Sequence, residues 1–93
     1  MENIIKQIVN AWDPISLFPG APKDEYSFEI NEILFLVKKT RDVSTLANGI
    51  ESIFERNFGK DVFMSTYNEC LEIAHLILNE VNLLSVSKDK PLL

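Results

Sequence analysis

Apolar residues at Ile4, Ile5, Ile8, Val9, Ala11 and Trp12 alternate with Asn3, Lys6, Gln7 and Asn10. At about 100° per residue the first set shares one face and the second takes the other, which predicts an amphipathic helix from Glu2 to Trp12. The next periodic stretch predicts a helix starting at Asp24 or Ser27 and ending near Thr40, with Ile30, Ile33, Leu34 and Val37 as its inward stripe. Phe28 and Phe35, seven apart, fall on nearly the opposite side, with Leu36 between the two stripes. A helix apolar on two sides needs two covers. The loop preceding it is the expected second cover, and a partner chain the alternative.

Val43, Leu46, Ala47, Ile50, Ile53 and Phe54 keep helical period over Val43–Phe58, with Asp42 or Ser44 as cap and Gly59 at the C′ position. Asn48-Gly49 could be a turn delaying that helix to Asn48, Glu51 then completing a capping-box-like pair. The unbroken period favours one continuous helix, in which Gly49 permits close helix approach. A fourth helix is expected from about Asp61 to Leu84, turning Phe63, Tyr67, Cys70, Leu71, Ala74, Ile77, Leu78 and Val81 inward and leaving Leu76 and Leu83 outside. Residues 85–93, with Pro91 and no period, read as a flexible tail. The fold class is thus all-α, a compact four-helix domain over residues 1–84.

Between the first two helices lies a segment of another kind, Trp12 to Tyr26. It holds the only tryptophan and three of the four prolines, at 14, 19 and 22. No helix or central strand can run through those prolines. Asp13-Pro14 reads as an N-cap and N1 proline opening a single turn through Phe18, which Pro19-Gly20 closes. Connections of this length are usually functional or packed as compact loops, and its apolar content requires it to dock on something.

Composition narrows the function classes. Fourteen acidic against nine basic residues give a net charge of −5, which argues against a phosphate-tracking surface and hence against nucleic acid. The one basic cluster, Lys38-Lys39-Thr40-Arg41, fits a helix C-terminus. No apolar run approaches the roughly 18 residues of a membrane span. A single cysteine, Cys70, and an N-terminus without signal-peptide character lead to the cytoplasm as the expected compartment.

Candidate chemistry is sparse. Cys70, Glu72 and His75 are the one cluster with metal or nucleophile potential, yet only Glu72 and His75 have the i, i+3 spacing of ligands on one helix. A core cysteine and a boundary histidine are the plainer reading, so no catalytic residue, metal or cofactor is expected. Asp13, Asp24 and Glu25 form an acidic group beside the aromatics Trp12, Phe18 and Tyr26. These six residues are the candidate surface for a protein partner. Packing and helix-start charge are the competing account of them.

The segment Trp12-Asp13-Pro14-Ile15, Phe18, Ala21-Pro22-Lys23-Asp24-Glu25-Tyr26, the pair Glu29-Ile30 and the pattern Leu46, Ile50, Ile53-Phe54, Phe58-Gly59 resemble the YugE-like family of small helical bacterial proteins of unknown function. The likeness covers about Trp12 to Leu78. Ser27 stands where that family usually has Asp, and Ser16 where a glycine is usual. The resemblance implies an all-α fold and no activity. The first functional expectation is a non-enzymatic protein-interaction module, in a concrete version a toxin-neutralising immunity-type protein whose acidic domain covers the basic rim of a nuclease. The alternatives are a small-molecule or metal-binding enzyme using Cys70, Glu72 and His75, and a homodimeric structural protein. In association, a monomer or a weak dimer through Leu76 and Leu83 is expected.

Overall fold

The computed structural model describes the backbone of residues 1–89 and the side chains of residues 1–83. Four helices follow one another, α1 Glu2–Trp12, α2 Ser27–Lys39, α3 Val43–Phe58 and α4 Tyr67–Asp89, with no strand among the described residues. Each packs on two neighbours, α1 on α2 and α4, α3 on α2 and α4, so the four close a ring around one core. The predicted inward stripes fill it: Ile5 and Val9 from α1, Ile30, Ile33 and Val37 from α2, Leu46, Ile50 and Phe54 from α3, Cys70, Ala74, Ile77 and Val81 from α4.

Helix α3 has the expected bounds, because its signals are local. The Asp42 carboxylate accepts the Thr45 amide at 2.9 Å, and Gly59 ends the helix at φ 87°, a value that side-chain-bearing residues avoid. The helix is continuous through Gly49, where an added Cβ would overlap Leu36 Cδ1. That glycine leaves room for the Leu36 side chain between α2 and α3.

Helix α4 starts six residues later than expected. Residues Lys60–Val62 turn instead, with Val62 and Phe63 amides donating to the Gly59 carbonyl, and Thr66 caps the helix by accepting the Glu69 amide at 3.2 Å. Thr66-x-x-Glu69 is a capping-box spacing that carries this start in the sequence. Phe63 is buried as expected but reaches the core from the connection, not from a helix. At its far end α4 continues to Asp89, past Leu84, and residues 90–93 of the expected tail lie outside the described residues.

The clearest corrections concern the loop. Asp13 does not open a helical turn. It caps the end of α1 in the left-handed conformation, φ 47° and ψ 61°, its amide donating to the Val9 carbonyl at 2.8 Å. Pro14 and Ile15 form a turn closed by the Ser16 amide on the Asp13 carbonyl at 3.0 Å. Nor does the loop cover Phe28 and Phe35, which stand 64% and 58% exposed. It folds instead onto the aromatic side chains of α3.

Candidate functional site

Asp13 organises the loop. Its Oδ1 accepts the Leu17 amide at 2.8 Å and the Tyr26 hydroxyl at 2.6 Å, and its Oδ2 accepts the Phe18 amide at 3.1 Å. The Tyr26 oxygen in turn accepts the Ile15 amide at 3.0 Å. One carboxylate and one phenol thus satisfy three amides that the prolines leave without ladder partners. Burial pushes the Asp13 carboxyl upward, but the hydrogen bonds from Tyr26, Leu17 and Phe18 outweigh it and hold it below the ordinary 3.8. Burial, then the bond to Asp13, raises the Tyr26 hydroxyl well above its usual range, so it remains a donor.

Around this anchor lies an aromatic cluster centred on Phe54. Trp12 meets Phe54 edge-on at 5.4 Å and Phe63 at 6.0 Å. Tyr26 meets Phe18 at 5.6 Å and Phe54 at 5.9 Å, while Phe58 and Phe63 stack on Phe54. Six of the nine aromatic residues of the chain therefore serve one packing unit. Of the six candidate binding residues, Trp12, Asp13, Phe18 and Tyr26 are engaged inside the domain, Tyr26 completely buried. Asp24 and Glu25 are exposed in the turn that enters α2.

Cys70 and His75 are not brought together. Cys70 is fully buried, and burial, with the nearby carboxylates of Glu51, Glu69 and Glu55, pushes its thiol up to about 12. His75 and Glu72 face solvent. Among the described residues no group of three His, Cys, Asp or Glu side chains is placed to hold a metal ion. Glu72 and Glu69 instead border an open cleft of about 370 Å³ beside Trp12, Asp13 and Pro14. An inward, un-ionised thiol is the environment of a core cysteine.

The exposed apolar surface lies on α2. Phe28, Phe35, Leu36 and Ile53 line a groove of about 400 Å³ between α2 and α3, bordered by the ion pair of Arg56 with Glu32. Lys39 Nζ sits 4.2 Å over the Phe35 ring. Sequence reasoning located both phenylalanines off the core stripe but assigned them a cover they do not have. It missed Glu29 altogether. This residue is only 4% exposed, accepts one hydrogen bond from Asn57 Nδ2 at 2.9 Å, and has no partner for Oε1. Its position in the first turn of α2, where the helix dipole favours a carboxylate, was the available signal.

Residues 4–85 match the family model described as a domain of unknown function, DUF1871. The chain belongs to this family. No curated protein and no solved structure matches it. Membership of DUF1871 thus spans all four helices and the loop, and assigns neither chemistry nor partner. Among the described residues of this DUF1871 chain, no helix is long and apolar enough to cross a membrane.

Proposed function

We propose that the domain is a non-enzymatic protein-interaction module whose contact surface is the outer face of α2 with the acidic turn at Asp24 and Glu25. The observation that carries this reading is the exposure of Phe28 and Phe35 on one helix face, beside a groove floored by Leu36 and Ile53. Large aromatics are the side chains that interfaces use as anchors. Within DUF1871 we read the chain as YugE-like, on the Trp12–Ile15 and Ala21–Tyr26 segments, and as a cytoplasmic protein, which a lone cysteine suits. The immunity-type version draws on small size and the net charge of −5, and would use the acidic turn at Asp24 and Glu25 beside that face.

The test is capture from an extract of the native host on immobilised wild-type chain and on Phe28→Ser/Phe35→Ser. Proteins held by the wild type, endogenous copies of the chain included, should be lost from the variant while its melting temperature stays unchanged. An identical set on both baits would remove α2 as the contact surface.

A further inference from the structure

Charge and shape on the outer face of α2 form a palindrome. Phe28, Asn31, Glu32, Phe35 and Lys39 lie within about 60° of one line along the helix, and Asp24 is exposed just ahead of its first turn. Asp24 belongs to the turn that leads straight into α2, with the Ser27 amide on its carbonyl at 3.0 Å. The pattern is centred between residues 31 and 32. Phe28 and Phe35 are equally far from that point, about 5 Å along the axis, and the acid Asp24 and the cation Lys39 lie beyond them at the two ends.

Resting on the reading of α2 as a contact face, we propose that its occupant is a second copy of this chain. The two α2 helices pack antiparallel about a twofold axis through the centre of the palindrome. Phe28 of each copy lies against Phe35 of the other, and Asp24 of each beside Lys39 of the other. A twofold interface must be complementary to itself; this face is so at its ends, where acid meets cation, while Glu32, which meets its own mate near the axis, is balanced by Arg56 of the same copy. Parallel pairing would bring Asp24 to Asp24 and Lys39 to Lys39, a repulsion that selects against it. Antiparallel pairing also opposes the two helix dipoles. Lys39, already over its own Phe35, would stand between that ring and the Asp24 of the second copy.

The outer face of α4 lacks this property. Leu76 and Leu83 are exposed there, but among the described residues the surface beside Leu83 is made of Asn79, Glu80 and Asn82, without a cation. The association is therefore placed on α2, not on the helix that the spacing of leucines favoured. Its strength follows from area. Four phenyl groups of about 150–250 Å² each, some three-fifths exposed, remove roughly 500 Å² from water. The rings alone thus supply well under half of the roughly 1,200–2,000 Å² of a standard interface, and with the flanking residues added the contact falls at the small, reversible end, with a dissociation constant in the micromolar range or weaker.

Sedimentation between about 10 μM and 1 mM reads this directly, a span chosen to bracket that affinity. The weight-average mass should climb from 10.6 kDa toward twice that value. Asp24→Lys alone and Lys39→Asp alone should each weaken association about tenfold, since two ion pairs are lost and like charges face each other. The double variant Asp24→Lys/Lys39→Asp restores opposite charges across the axis and should recover the wild-type constant to within about threefold. A monomer throughout would overturn the proposal, as would failure of the double reversal to rescue. A wild-type monomer whose captured partners depend on Phe28 and Phe35 would leave α2 as a surface for another protein. Association persisting in Phe28→Ser/Phe35→Ser would remove both readings.

Discussion

The loop from Trp12 to Tyr26 and the outer face of α2 carry similar residues, aromatics beside carboxylates, yet one is drawn into the domain and the other left in water. In the loop, prolines interrupt regular structure, so its amides need side-chain partners, and Asp13 with Tyr26 supplies them. Satisfying those amides brings Trp12 and Tyr26 onto Phe54, with Phe18 against Tyr26. In α2 the amides past the first turn are paired within the helix, so no such backbone demand draws the side chains of its outer face inward. The segment that looks irregular is the better packed of the two. Aromatic and acidic composition alone therefore does not separate a packing element from a recognition surface. The demand of the backbone for partners does.

Truncations on the two sides should differ most. Trp12→Ala removes an indole that touches both Phe54 and Phe63 and should cost about 3 kcal/mol in denaturant melts, the lower end for large aromatic truncation because Trp12 is half-buried. A loss under about 1 kcal/mol would mean that the loop aromatics do not pack, and the contrast with α2 would collapse.

Asp13→Asn should be next, at about 2 kcal/mol near neutral pH, because three hydrogen bonds to a carboxylate are weakened together. The folded-state carboxyl titrates below its ordinary 3.8, so its stabilisation is present above that pH and is lost as pH falls through the folded value. The gap between wild type and variant should accordingly narrow below about pH 4 in melts run as a pH series. A gap independent of pH would show that charge is not what holds the loop.

Ser16→Gly sharpens the comparison in the stabilising direction. Ser16 sits at φ 58°, where a side chain costs roughly 1 kcal/mol, and glycine returns part of that gain through the freer unfolded chain. A net increase of about 0.5 kcal/mol is expected.

The smallest effect belongs to α2. Phe28→Ser/Phe35→Ser should change the stability of the dilute chain by no more than about 0.5 kcal/mol, as for other exposed positions. A large loss would show that these rings already serve the fold, leaving no free surface to propose.

Helix periodicity, Asp42, Gly59 and the unbroken run through Gly49 were enough to specify α1, α2 and α3, because each signal acts within one turn or one face of its own segment. The start of α4 was legible too, in Thr66-x-x-Glu69, but the apolar period running back through Phe63 outweighed it in sequence reasoning. That Leu76 and Leu83 remain outside also followed from spacing. What only the tertiary structure decided was where the loop goes. Its direction depends on Asp13 reaching Tyr26, 13 residues away, and on Phe58 and Phe63 offering rings there. Neither relation has a period. The same holds for Glu29, whose burial comes from the approach of α3 carrying Asn57, 28 residues on. Local pairing of amides and apolar faces is written along the chain. The choice of which face is covered, and by what, depends on contacts between segments far apart in sequence.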